Sequence, residues 1–249
     1  MSKQETRATL ARIKHSMDAA HQAPFTYRDL LKKDRLYSLL TAFLMLAVAF
    51  AFEHIASVYA YAYLARPTSV YVGDILLDNL PVVNLNFLII EGALSCIVLG
   101  TLFVFSKPRY ILFTLKAVAL FIAIRAFFTS LTHIGIYPGA INPGAGFLDS
   151  IYMYLDFQTG FFFSGHTGLP FLMALIFWRE SFPRAVLLSL SFIFAVAVLL
   201  AHVHYSIDVF AAPFMAYGIF TIAKKFFPRD YALIEPELQH PAPLPAPAL

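Results

Sequence analysis

The sequence predicts an all-α polytopic membrane protein with six transmembrane helices. Three observations indicate this class: a hydrophobic content of 59%, a charged content of 13%, and six apolar segments. Each segment approaches the ~20 residues that a helix needs to cross ~30 Å of hydrocarbon, whereas soluble domains carry about 25% charged residues. The composition therefore excludes a water-soluble globule, and the nearly uncharged body gives no indication of nucleic-acid binding.

The six predicted spans lie between a basic amino-terminal region and a Pro-rich tail. We assign residues 1–36 to the amino-terminal region, 37–227 to the transmembrane domain and 228–249 to the tail. The spans cover residues 37–60, 83–105, 109–131, 161–179, 185–203 and 207–227. Spans four and five are on the short side for a full crossing.

Polar or turn-forming segments separate the spans. The region before span one lacks the apolar core of about 7 to 15 residues that a cleavable signal needs, so span one is expected to serve as its own insertion signal. Short charged turns at 106–109 and 179–184 follow spans two and four. The long connections 61–82 and 132–160 are rich in Gly, Pro, Asn and Tyr, and loops of this kind commonly build sites.

Basic residues mark one side of the predicted bundle. Alternating spans place the amino-terminal region, the two short turns and the end of the chain from Lys224 onward together, and these segments hold 15 of the 18 Lys and Arg residues. The opposite side carries Arg66, while Lys116 and Arg125 fall within a span. The positive-inside rule then predicts that both termini are cytoplasmic and that the long loops face the exoplasmic, periplasmic or lumenal side. The pattern specifies neither the host membrane nor the oligomeric state.

Apart from the basic residues at the predicted cytoplasmic ends, five charged residues lie within the spans, although each costs about 2.5 to 3.5 kcal/mol at mid-bilayer. Lys116 is in the inner part of span three and can reach polar surroundings by snorkelling. Glu53 and Glu91 occupy the outer halves of spans one and two, where they are either site residues or partners in buried interhelical hydrogen bonds. Arg125 and Asp208 lie at the outer ends of spans three and six.

Two histidines share the outer face with Arg125 and Asp208. His166 opens span four in the segment FFFSGHTGLP, and His204 closes span five in AHVHYSID. Four residues from four spans therefore converge at one end of the bundle. Cys and His residues show no spacing typical of a metal site, so we expect no metal.

His204 and Asp208 are four residues apart, so on a helix the carboxylate faces the imidazole. Asp208 can then hold one ring N–H and leave the other nitrogen free to act as a nucleophile. Ser164, Gly165 and Thr167 stand at the start of a predicted helix, where N–H groups and hydroxyls can receive phosphate oxygens. These residues predict a phosphate site beside an activated histidine.

Arg125 and His166 complete the predicted chemistry. Arg125 supplies a permanent guanidinium charge that can neutralise a transferring phosphoryl group. His166, on the other side of the phosphate, can protonate the departing alkoxide and later take a proton from the acceptor.

The two histidine segments resemble a known pair of motifs. Ser-Gly-His-Thr at 164–167, followed by His-Tyr-Ser-Ile-Asp-Val at 204–209, is similar to the motifs of the sphingomyelin synthase branch of the type 2 phosphatidic acid phosphatase (PAP2) superfamily. The stretch 125–139 looks like the Arg-containing motif of that branch, and the similarity covers roughly residues 109–220. It implies a PAP2-like helical bundle in which His204 forms a phosphohistidine, Asp208 orients it and His166 is the acid and base, with no cofactor.

The resemblance implies a phosphotransferase with two lipid substrates. The expected donor is a phospholipid with a phosphocholine or phosphoethanolamine headgroup, and the expected acceptor is a lipid hydroxyl such as that of ceramide, with release of diacylglycerol. The first alternative is a PAP2-type lipid phosphatase or phospholipase C-like hydrolase that uses water as acceptor. The second is a non-catalytic transporter or scaffold that retains the site.

The chain departs from the family pattern at several positions. Residues 158–160 read Gln-Thr-Gly where the branch commonly has Cys-Gly-Asp, and Asp156 is a candidate replacement for that carboxylate in binding a cationic headgroup. Tyr205, inside the second motif, is a further, weaker candidate for substrate binding. Ala197 and Val198 stand where general phosphatases carry Ser-Arg, and their Lys-x6-Arg-Pro motif is absent. Fewer cationic groups favour a monoanionic phosphodiester over a dianionic monoester.

Overall fold

The computed structural model describes residues 25–64, 66, 70–131, 133–141 and 162–235. Within these ranges the regular structure is helical, which confirms the predicted all-α class. The elements are α1 (Tyr27–Leu30), α2 (Lys33–Leu64), α3 (Asn86–Ser106), a 3-10 turn (Pro108–Tyr110), α4 (Ile111–Leu131), α5 (Gly165–Ile176), α6 (Ser181–Leu200), α7 (Ser206–Phe226) and α8 (Pro228–Tyr231).

Five of the described helices are long and apolar enough to cross a membrane, namely α2, α3, α4 with the preceding 3-10 turn, α6 and α7. They correspond to predicted spans one, two, three, five and six. The fourth predicted span, 161–179, forms a helix only over the 12 residues of α5, about 18 Å, because Ser164 caps its start and the helix ends before Phe177. Helix α5 is therefore shorter than a full crossing, but Glu180, which follows it, pairs with Lys107 and Arg109 after α3, so the chain still returns to that side of the bundle.

The long helices are apolar on their outward faces as well as inside. Phe87, Phe192 and Phe214 are 76%, 71% and 79% exposed on the surface of the bundle. Exposed aromatic side chains of this density suit contact with lipid tails, and helices satisfy all their backbone hydrogen bonds internally, as a membrane requires. The prediction of an integral membrane protein agrees with these surfaces.

Small residues let the helices around the site approach closely. Helix α2 packs along α4 and buries a row of alanines, Ala42, Ala49, Ala56 and Ala60. Helix α5 lies against α4 and α7 at Gly168, where a Cβ would come within 3.1 Å of the Phe121 ring and 3.5 Å of the Ala212 Cβ. The glycine thus fixes how deeply α5 sits between its neighbours.

The structure corrects the environment predicted for Lys116. Its amine does not snorkel to water: Nζ donates to Asp230 Oδ2 at 2.6 Å and to Ser38 Oγ at 2.7 Å, and the residue is 7% exposed. Asp230 belongs to α8, which turns back onto the bundle after the last span, and Ile234 is buried behind it. Residues 228–235, the start of the predicted tail, therefore pack against the bundle.

Candidate active site

The two histidine segments are joined through the backbone at the start of α5. The Ser164 N–H donates to the Asp208 carbonyl oxygen at 3.0 Å, and the Ser164 hydroxyl accepts the Thr167 N–H at 3.4 Å as the helix cap. Ser164 is fully buried. The Ser164 N–H is thus engaged inside the protein, whereas the hydroxyl accepts one hydrogen bond and retains its own proton, so its phosphate contact stays a prediction.

Gly165 and Thr167 occupy the first turn of α5. Gly165 lines the cavity described below, which fits its predicted place beside a phosphate. Thr167 is buried, its carbonyl accepts the Ser191 hydroxyl at 2.8 Å, and its own Oγ1 has no hydrogen-bond partner among the described residues. The Ser191 hydroxyl on α6 thereby fixes the backbone of this turn.

Arg125 reaches the same turn from α4. Its Nε donates to the Phe163 carbonyl oxygen at 3.1 Å, and a Cβ on Gly165 would lie 3.5 Å from that nitrogen. Its Nη1 donates to Glu53 Oε1 at 2.6 Å in a buried ion pair. Glu53 therefore forms a buried interhelical contact, one of its two predicted roles, and its partner is the predicted phosphate-binding cation.

His204 and Asp208 meet through a helix cap, although the sequence suggests neighbouring positions on one helix. Helix α7 begins at Ser206, so His204 lies in the turn before it, and Asp208 Oδ2 accepts the Tyr205 N–H at 3.0 Å. His204 Nδ1 lies 3.6 Å from the same oxygen, a distance too long for a hydrogen bond but close enough for the carboxylate to stabilise a positive charge on the ring. Both side chains are almost fully enclosed, with exposures of 7% and 1%.

His166 lies beside His204, with 6.0 Å between the ring centroids and 71° between the ring planes. The His166 Nε2 atom is 3.3 Å from the Ile89 carbonyl oxygen. A carbonyl oxygen only accepts, so this contact requires a proton on Nε2, and in the neutral ring Nδ1 then carries the lone pair. Two rings at this spacing can contact the same phosphate group.

A cavity of about 170 Å³ extends from this site into the bundle. Four lining residues form one end of it, which we call the polar end: Glu53, Arg125, Gly165 and His166. The remaining walls are apolar and include Ile97, Val118, Ile122, Leu169 and Phe194. Val118 and Arg125 are seven residues apart on α4, so the cavity follows that helix for about 10 Å.

Two loop segments, at Val72 and Gly135, are hydrogen-bonded to the second histidine segment. The Tyr205 hydroxyl donates to the Gly135 carbonyl oxygen at 2.7 Å and accepts the Val72 N–H at 3.3 Å. Gly135 is required at this junction, because a Cβ there would lie 2.8 Å from the Val70 carbonyl carbon. Tyr205 thus holds loops in place, and its predicted substrate contact finds no support in a ring that is buried among protein groups.

Asp74 is a second residue that links a loop to the second histidine segment, and the sequence reasoning missed it. Its Oδ2 accepts the Ser206 N–H at 2.7 Å at the start of α7, and its Oδ1 accepts the Leu76 and Leu77 N–H groups. Burial opposes ionisation, but the N–H donors outweigh it and hold the pKa of the Asp74 carboxyl below its usual value. A lone aspartate in a predicted loop gives no local signal of a partner 132 residues away.

Arg125, Gly165 and His166 thus meet at the polar end of the cavity, with His204 and Asp208 beside them. For Glu53 the sequence left two roles open. The clue to its position was its predicted depth, because Glu53 and Arg125 are both expected in the outer half of the membrane. Asp156 lies outside the described residues. No group of three or more His, Cys, Asp or Glu side chains suited to a metal ion occurs in the described part of the chain.

The fold and the site together define a helical membrane protein with two neighbouring histidines, of which His204 is buried and His166 lines an apolar cavity. The family model described as PAP2 superfamily C-terminal matches residues 159–225, which include α5, α6 and most of α7. The match covers 67 of the 249 residues and supports a relationship of this segment to the PAP2 superfamily. No curated protein matches the chain.

Proposed function

We propose that the protein transfers the phosphorylated headgroup of a membrane phospholipid to a lipid hydroxyl. The observation that carries the proposal is the cavity, whose polar end contains Arg125 and His166 and whose other walls are apolar. A substrate with an anionic phosphate and a long hydrocarbon chain matches both parts. The chemistry of donor and acceptor, a glycerophospholipid and a ceramide-like alcohol, follows the motif resemblance described above.

In the first half-reaction, the His204 Nε2 lone pair attacks phosphorus. The bond between phosphorus and the diacylglycerol oxygen breaks, and the His166 imidazolium gives its Nδ1 proton to the departing alkoxide. Diacylglycerol leaves and a phosphohistidine remains. The Asp208 carboxylate, 3.6 Å from His204 Nδ1, stabilises the positive charge that the ring acquires.

In the second half-reaction, the acceptor hydroxyl attacks the same phosphorus. Its proton passes to Nδ1 of the now neutral His166, and the phosphorus–nitrogen bond breaks to return His204. Arg125 lies against the first turn of α5, where its charge stabilises the equatorial oxygens in both steps. The enzyme ends each cycle in its starting protonation state.

Hydrolysis is the second candidate, because water can replace the lipid hydroxyl in the second half-reaction and the superfamily match is compatible with either acceptor. Two features favour a lipid acceptor: His204 is enclosed, and the cavity that His166 lines is apolar apart from its polar end. An apolar chamber concentrates a lipid alcohol and admits little water.

Product analysis separates the candidates. Full-length protein in lipid nanodiscs is given headgroup-labelled phosphatidylcholine or phosphatidylethanolamine together with ceramide, and lipids are analysed by mass spectrometry. We expect labelled phosphosphingolipid and an equal amount of diacylglycerol. Label recovered only as water-soluble headgroup phosphate identifies the hydrolase, and turnover of neither donor leaves the non-catalytic alternative.

We also propose that both termini are cytoplasmic and that the site faces the exoplasmic, periplasmic or lumenal side. The support is the distribution of Lys and Arg residues, which concentrates in the segments that alternating spans place opposite the site. Single cysteines placed at positions 16 and 76 in a Cys96→Ala background test this: a membrane-impermeant maleimide should label position 76 in right-side-out vesicles and position 16 only after permeabilisation. The reverse pattern contradicts the topology.

A further inference from the structure

We infer that Glu53 sets the substrate charge that this site accepts, by neutralising Arg125 and so selecting phosphodiesters against dianionic phosphate monoesters. The inference rests on the proposed function and adds a specificity-determining residue to it. Glu53 lies on α2, outside the two histidine segments and outside the matched range 159–225.

The first observation is the position of the pair in the cavity wall. Glu53 Oε1 lies 2.6 Å from Arg125 Nη1, and both side chains line the cavity together with Gly165 and His166. The ion pair is therefore part of the surface that meets a substrate. A pair that served only to join α2 and α4 could lie anywhere along their long contact, where the other buried residues of α2 are four alanines and Ser57.

The second observation is the charge balance of the wall. Among the described residues that line the cavity, Arg125 is the single Lys or Arg and Glu53 the single carboxylate. Their charges cancel, and the nearby Asp208 carboxylate, 1% exposed, adds a further negative charge beside His204. Even with His166 in the imidazolium form that the proposed mechanism requires, these four charged groups carry no net positive charge for a substrate.

This balance discriminates between two kinds of phosphate ester. A diester carries one negative charge, and a choline or ethanolamine headgroup cancels it, so binding adds little net charge to an enclosed site. A monoester carries between one and two negative charges near neutral pH, since its second pKa is about 6. In the poorly hydrated cavity, the extra negative charge of a monoester lies near Glu53 and Asp208 and has no matching cation. Binding of the monoester is therefore disfavoured.

Replacing Glu53 by Gln tests the inference, because the amide keeps the shape and removes the charge. Phosphatidylcholine and phosphatidic acid with identical acyl chains are compared in nanodiscs that contain ceramide. Both reactions release diacylglycerol, so one readout serves for both. We expect Glu53→Gln to lower the diester-to-monoester ratio of kcat/KM at least ten-fold, with Glu53→Asp, which retains the charge, within three-fold of the unmodified protein.

Glu91→Gln is the matched control, because Glu91 is a glutamate in a span whose side chain does not line the cavity. Its diester-to-monoester ratio of kcat/KM should stay within two-fold of that of the unmodified protein. A purely structural Glu53–Arg125 pair predicts a different result, namely equal loss on both substrates. An unchanged ratio in an active Glu53→Gln protein overturns the specificity role alone. No turnover of either ester by the unmodified protein refutes the proposed function instead.

A measurement on the unmodified protein requires no variant. An alkylphosphonate, which loses its second proton near neutral pH, and its monomethyl ester, which stays monoanionic, are compared as inhibitors of phosphatidylcholine turnover from pH 5.5 to 8.5. The methyl ester reports any titration of His166, His204 or other protein groups. We expect the ratio of inhibition constants, alkylphosphonate over ester, to rise at least five-fold across this range, and a constant ratio overturns the inference.

Discussion

Replacement of Asp208 by Asn isolates the electrostatic contribution of its carboxylate to His204. The amide oxygen can still accept the Tyr205 N–H that caps α7, so the fold should persist while the negative charge is lost. Two unit charges 3.6 Å apart interact by about 4.6 kcal/mol at an effective dielectric constant of ~20. That value is an upper bound, because the Asn dipole and a shifted water molecule recover part of it.

Each 1.36 kcal/mol changes a rate ten-fold, so the upper bound corresponds to about three orders of magnitude. We expect kcat to fall between about 10²- and 10³-fold in Asp208→Asn, with KM for the donor changed little, because the carboxylate stabilises the imidazolium that forms in the transition state. The assay is the rate of diacylglycerol release from phosphatidylcholine in the presence of ceramide.

The thermal midpoint of the purified variant is the control for folding, and it should lie within a few degrees of that of the unmodified protein. A kcat within three-fold of the unmodified value, in a folded variant, would refute the assignment of Asp208 as the partner of a nucleophilic histidine. A large loss accompanied by a collapsed thermal midpoint would instead assign Asp208 to the helix cap alone.

Three further predictions concern the histidines, the inner ion pair and the outer loop. His204→Ala and His166→Ala should each lower turnover at least 10³-fold, and acid-labile radiolabel from phosphate-labelled donor should be absent from His204→Ala; near-normal turnover in either variant contradicts its role. Asp230→Ala leaves the buried Lys116 charge without this partner, so the free energy of unfolding should fall by about 3 to 5 kcal/mol. In the same denaturation assay, a Lys116→Met, Asp230→Leu double variant should recover most of that loss. An equal loss in the single and the double variant contradicts the reasoning. Because the folded-state pKa of Asp74 is lowered, its contribution to stability is present above the unfolded pKa of about 3.9 and is lost as pH falls through the lower folded value. Asp74→Asn should therefore lower the thermal midpoint at pH 7, and the difference from the unmodified protein should shrink towards pH 3; a difference independent of pH contradicts the role of the charge.

The proposed catalytic pair shows how much of the site local sequence can predict. His204 and Asp208 were placed together from a spacing of four residues, and the structure does bring them to 3.6 Å. The geometry behind the contact is different, because α7 begins at Ser206 and the carboxylate acts as a cap. Similarly, Ser164 stands at the start of α5 as predicted, yet its N–H and hydroxyl face protein groups, which depends on where α7 lies relative to α5.

Glu53 and Lys116 show where the sequence reasoning stops. Each was recognised as an unusual charge in a span, but their partners are 72 and 114 residues away along the chain. Depth in the membrane indicated that Glu53 and Arg125 share a level. It did not indicate that the two side chains face each other, and nothing in the Pro-rich tail indicated that Asp230 returns to Lys116.

The sequence by itself determined the membrane class, the positions of five long spans and the two histidine segments, because hydropathy and helix capping are local properties of the chain. The tertiary structure decided which faces of the helices meet, and with them the Glu53–Arg125 pair, the Lys116–Asp230 pair and the cavity. The physical reason is that these spans are apolar on their lipid-facing and buried sides alike. Polarity then cannot specify rotation about the helix axis, and close packing of small residues such as Ala56 and Gly168 sets it instead.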